Sequence, residues 1–265
     1  MFQPLEYSPR PVGCFDSKPL VLCENYVSHC FDILCFVMFW RLLECNWAPR
    51  CLQRCLPQYH TMDGTRQKQW HIRFVSTVFS WCIVPLAMYC VWLDPALQNS
   101  PLNGTSSVSR FTSHMALSFF LWDVYVCSDW GYLFVFHALF CSLTYSIIAI
   151  PQCMVRLGLY ALLYEASTPY LNIRWCLRDV DMHHTNIWHN VNILFAVIFF
   201  IARVLFGSWL TYAVYQSVST DYCVPLWIRV LAGFNITASY GLNGYWAMNI
   251  AKNAMKYIEQ TEKKN

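Results

Sequence analysis

The chain has 265 residues, of which 57% are hydrophobic, 17% aromatic and 12% charged. A soluble domain carries about 25% charged residues, so this composition places the chain in a bilayer and argues against a water-soluble domain. The formal net charge of +3 is too small to point to a nucleic-acid partner.

Residues 1–26 are polar, mixed and Pro-containing, unlike a cleavable signal peptide, so the first apolar helix is the expected targeting signal. Seven helices follow in the hydropathy pattern, at about 27–43, 71–92, 111–127, 132–150, 153–171, 188–215 and 224–250. The predicted fold is an all-α polytopic bundle with about seven spans. The first and fifth segments are short and polar, which leaves a six-span arrangement open. The predicted division is 1–65 (N-terminal segment, first helix and basic loop), 66–258 (the main bundle) and 259–265 (tail).

Loop charge sets the orientation. Arg50, Arg54, Arg66 and Lys68, then Arg174 and Arg178, then Lys252, Lys256, Lys263 and Lys264 fall on one side of a seven-span chain. The other side receives Arg10, Lys18, Arg110 and Arg156. This predicts a luminal N-terminus and a cytosolic C-terminus. It also makes the sequon Asn103-Gly104-Thr105 luminal and open to glycosylation, whereas Asn235-Ile236-Thr237 falls inside the last helix.

The fourteen cysteines lie mostly in apolar segments (Cys30, Cys35, Cys82, Cys90, Cys127, Cys141) and read as small hydrophobes rather than a disulfide framework. Cys51 and Cys55 lack the second ligand pair that a zinc site needs. The run RDVDMHHTNIWHN offers Asp179, Asp181, His183, His184 and His189, but its HH-x4-H spacing completes no metal box, and a solvated loop with no metal is expected.

Charged side chains at mid-bilayer cost about 2.5–3.5 kcal/mol each, so every one needs a partner or a role. Arg73, Ser76, Thr77 and Ser80 form a stripe at helical spacing, and Asn235, Ser239 and Asn243 repeat the device in the last helix. Both read as interhelical hydrogen-bonding positions. Asp123, His137 and Arg203 stand alone in their segments. Pairing of Asp123 with Arg73 or Arg203 would explain the charges structurally. His137 is either a satisfied interior residue or a protonatable group beside a lipid pocket.

In YEASTPYLNIRW, Glu165, Thr168 and Asn172 share a helical face if the fifth helix continues. Pro169 lacks an N–H, which predicts a kink and a free Glu165 carbonyl facing the bundle interior.

These residues together resemble the TLC domain, shared by ceramide synthases and by non-synthase membrane proteins. The resemblance rests on W-x-x-R-x-x-S-T at Trp70, Arg73, Ser76 and Thr77, on FFLWDVYVC around Asp123 and on His137. YEASTPYLNIRW, FFIARVLFG around Arg203 and GLNGYWAMNIAK continue it, over about 66–258. It is similar to the TLC-domain-containing branch rather than to the synthases. Phe79 and Phe136 stand where the family often carries histidine. The resemblance therefore implies a non-catalytic protein of the endoplasmic reticulum membrane acting in lipid homeostasis. Acyl-chain lipids, sphingolipid or acyl-CoA are the implied partners, and no cofactor is implied. The enzymatic alternative is an acyl-CoA-dependent N-acyltransferase of ceramide-synthase type, with His137 as base and Asp123 or Glu165 orienting it. A transporter would show inverted repeats, and none is visible.

Overall fold

The computed structural model describes residues 26–99, 104–129, 131–220 and 226–262. Among them the chain is almost entirely helical, with short turns between helices and no strand. The main helices are α1 (Tyr26–Leu42), α2 (Ala48–Cys55), α3 (Gly64–Trp92), α4 (Pro95–Asn99) and α5 (Ser107–Val126). They continue as α6 (Tyr132–Ala149), α7 (Val155–Ala161), α8 (Thr168–Asp179), α9 (Asn186–Phe199), α10 (Phe206–Thr220) and α11 (Leu226–Glu262). A π-helical turn, Phe200–Leu205, joins α9 to α10 without a break. Three of these rods are long and apolar enough to cross a membrane: Gly64–Trp92, Tyr132–Ala149 and Asn186–Ser219. The seven predicted apolar segments lie largely in helix among the described residues, and the all-α membrane bundle holds.

α5 is the central rod. Every residue from Thr112 to Phe120 is buried, against α1, α3 and α6, the polar Thr112, Ser113, His114 and Ser118 included. Its joint with α1 and α3 is aromatic. Phe79 stacks on Phe119 with ring centroids 3.7 Å apart, and Trp40 meets both rings edge-on. The indole N–H groups find partners, as buried ones must: Trp40 donates to Ser118 (3.1 Å) and Trp122 to Glu44 (2.9 Å). Glu44 also receives Arg41 at 2.6 Å. The outer face is apolar too, with Phe31, Leu34, Leu139, Ile193, Ile201 and Val230 exposed, as a lipid-facing surface requires.

Contacts sort the connections into two ends. At one end Asp94 accepts from Ser106, the N-cap of α5, and Arg156 donates to the Val91 carbonyl (3.2 Å) and to Gln98 (3.0 Å). Cys153 packs on Ile228 at the same end. At the other end Leu52, Tyr59, Met62 and Trp70 pack with Trp175, Cys176 and Val180. There Arg66 and Trp70 both donate to Asp179, at 2.8 and 2.7 Å. The two basic stretches, 44–70 and 174–180, which lie largely in α2, the start of α3 and the end of α8 rather than in open loops, therefore meet at one end of the bundle.

The eleven described cysteines are all free. Cys90, Cys127 and Cys141 are buried, while Cys30, Cys35 and Cys82 sit on the outer surface, because one face of each helix must be presented to lipid. Asn103 lies outside the described residues.

The fifth segment departs from expectation. It is not one helix kinked at Pro169. α7 starts from Met154, in the left-handed region at φ 52°, and gives way to a 3-10 stretch, Leu162–Ser167. Pro169 lies in the first turn of α8, where its missing N–H leaves no bond within that helix unmade. The Glu165 carbonyl is not free, because the tighter 3-10 winding lets the Thr168 N–H reach it.

Candidate functional site

A cavity of about 170 Å³ opens between α6, the 162–167 stretch, the α9–α10 rod and α11. Its polar wall is built by residues from four elements. α6 contributes His137 and Thr144. The 3-10 stretch brings Tyr164 and Glu165, the π turn brings Arg203, and α11 adds Asn235, Ser239 and Asn243. Apart from Tyr145 and Thr211, the rest is largely apolar, including Phe120, Ile147, Ile148, Leu157, Ile228 and Leu231.

Arg203 is the centre of the polar end. Its position in a π-helical turn is where helices commonly carry functional side chains. The guanidinium pairs with Glu165 at 3.5 Å and donates to the Tyr164 carbonyl (3.2 Å), Ser167 (3.2 Å) and Asn243 (3.4 Å). The rings of Phe199, Trp246 and Tyr164 bracket it at 5.6, 5.7 and 5.9 Å. Gly207 makes room for the Tyr164 hydroxyl, since a Cβ there would stand 3.1 Å from it. Thr168 donates to the second Glu165 oxygen at 2.6 Å. The Arg203 and Glu165 side chains are only 9% and 11% exposed. A charge so enclosed needs its partner, and here each has one.

The structure brings His137, Glu165, Arg203, Asn235 and Asn243 into this one cavity. Asn235 bonds Thr144 across the α6–α11 interface, so the internal sequon is part of the wall. His137 meets the Trp246 ring edge-on at 5.5 Å, and its polar neighbour is Cys141 Sγ at 3.7 Å.

Other candidates lie apart. Asn172 donates to the Arg73 carbonyl (3.3 Å) and to Thr77 Oγ1 (3.0 Å), and accepts from Arg73 Nη1 (3.3 Å). The Arg73 guanidinium lies 4.1 Å from the Trp175 ring centre. Two distant motifs, W-x-x-R-x-x-S-T and N-x-R-W, thus clamp α3 to α8. Ser76 supplies the carbonyl that Ser80 bonds (2.9 Å), and Pro169 is buried at the start of α8. Asp123 pairs with neither Arg73 nor Arg203. It accepts from Cys127 Sγ at 3.1 Å, one turn along its own chain, because both arginines are held on other elements. No carboxylate is hydrogen-bonded to His137 among the described residues, so neither Asp123 nor Glu165 orients the ring here. Phe79 is fully buried in the aromatic joint.

Sequence reasoning missed Tyr164, Thr144 and Trp246, whose residue types give no signal of their own in an aromatic-rich chain. In the 179–189 loop, Asp179 is taken by Arg66 and Trp70. Asp181, His183 and His184 bring one ligand atom each within 4.8 Å of the others, all three exposed.

A family model described as the TLC domain matches residues 69–252. The yeast (Saccharomyces cerevisiae) protein "Topoisomerase I damage affected protein 4" is 24% identical over 69% of this chain and 68% of its own length. "TLC domain-containing protein 4 A" of Dictyostelium discoideum is 22% identical over 86% of this chain and 90% of its own. Human "TLC domain-containing protein 4" is 23% identical over 79% of this chain and 84% of its own. The clamp, the central helix and the cavity-lining residues fall within the matched range, and the chain belongs to the TLC-domain family, in the TLC-domain-containing branch rather than among the ceramide synthases.

Proposed function

We propose that this is a lipid-handling protein of the endoplasmic reticulum membrane that holds an acyl-chain lipid in the cavity without transforming it. The observation that carries the reading is the wall itself: a mostly apolar lining, crossed by the bonded Thr144–Asn235 pair, with the paired Arg203 and Glu165 at one end. Such a lining suits an alkyl chain with a small polar head. The end where the basic stretches meet faces the cytosol on this reading, in keeping with positive-inside charge. A glycan on Asn103, lost in Asn103→Gln and visible as a gel shift, is the check on that orientation.

The position of His137 in the cavity favours a second reading, N-acyl transfer from acyl-CoA to a sphingoid base. A single imidazole would have to act as base without a carboxylate to orient it. The test is acyl transfer by purified protein given long-chain acyl-CoA and sphinganine, followed by mass spectrometry. No ceramide from well-folded protein is the expected result. Ceramide formed by the wild type and abolished by His137→Ala, with folded yield intact, would replace the lipid-handling reading with the enzymatic one.

A further inference from the structure

The described cavity lining contains two formally charged side chains, Arg203 and Glu165, and they are paired with each other. This balance constrains what can enter. A carboxylate or phosphate head would compete with Glu165 for Arg203 and leave one anion enclosed without a counter-charge. An ammonium head would take Glu165 and strand Arg203. Either exchange removes one partner of a buried ion pair, the arrangement that enclosed charge tolerates least. A hydroxyl or amide head breaks no pair. It meets Asn243, whose bonds to Arg203 and Ser239 are both long, at 3.4 Å, and whose amide retains unused capacity.

The lining also has a direction. On α11 it runs from Ile228 to Trp246, a rise of about 27 Å at 1.5 Å per residue. That is close to the roughly 30 Å hydrocarbon thickness. Ser239, Asn243 and Trp246 lie toward the Arg203 end, whereas Ile228, Leu231 and Ala232 join Ile147 and Met154 at the other.

Resting on the lipid-cavity reading, we propose that the cavity selects a lipid whose polar head is uncharged, with the head at the Arg203–Glu165 end and the chain extending toward Ile228. The experiment offers the purified full-length protein, in detergent micelles, an equimolar mixture of monooleoylglycerol, oleate and oleylamine, with occupancy read by native mass spectrometry. The three share a chain and differ in head charge. Monooleoylglycerol is expected to exceed each ionic lipid by at least about tenfold, because only it leaves the buried pair intact. Glu165→Gln, which frees Arg203, is expected to shift the preference to oleate. The double variant Glu165→Gln with Arg203→Gln is expected to return it to monooleoylglycerol. If Glu165→Gln fails to fold, the wild-type mixture decides alone. Oleate or oleylamine bound as readily as monooleoylglycerol by the wild type overturns the head-group inference and leaves the lipid cavity standing. No lipid bound at all overturns the cavity reading and this inference together.

Discussion

At the residue scale, Arg203 and Glu165 explain how a bilayer-embedded chain tolerates its charges. Both are nearly enclosed, and each is the other's counter-ion. Removing one partner of such a pair costs about 3–5 kcal/mol, whereas replacing both by apolar groups of similar volume is near neutral. Glu165→Gln is therefore expected to lower the thermal unfolding temperature in detergent sharply, and Glu165→Gln combined with Arg203→Met to restore most of the loss. A single variant as stable as the wild type would show that the pair is not a buried one. This partnership was half legible in the sequence. A lone Arg and a Glu beside a proline each demanded a partner, but 38 residues separate them, and helical spacing cannot say which distant faces meet. The same limit produced the expectation that Asp123 pairs with an arginine, when its partner is Cys127 one turn away.

At the element scale, local winding decides where side chains point. The helical segments other than the fifth were legible because apolar length and Pro or Gly punctuation set them directly. The 162–167 stretch was not, because the shift from α to 3-10 winding changes which amide reaches the Glu165 carbonyl without changing the apolar pattern. The π turn at Phe200–Leu205 was equally silent, although it carries Arg203. Because Pro169 occupies the first turn of α8, restoring its N–H completes no bond within α8. Pro169→Ala is expected to change stability by no more than about 1 kcal/mol in a detergent melting experiment. A gain well beyond that would mean the proline interrupts a helix that is otherwise ready to continue.

At the scale of the whole molecule, packing divides the labour between two sets of polar residues that the sequence presented as one. Arg73, Thr77, Asn172 and Trp175 hold α3 to α8. His137, Glu165, Arg203, Asn235 and Asn243 converge on a cavity elsewhere. Occupation of that cavity by a lipid chain is the central claim, and the most direct measurement is mass spectrometry of lipids retained by the purified protein, wild type against Ala232→Trp. Ala232 lines the apolar half and is 8% exposed, so an indole there fills space intended for the chain. The expected result is a retained lipid in the wild type and its loss from a variant that still melts cooperatively. A wild type that retains no lipid, or a folded variant that retains as much, would contradict the claim.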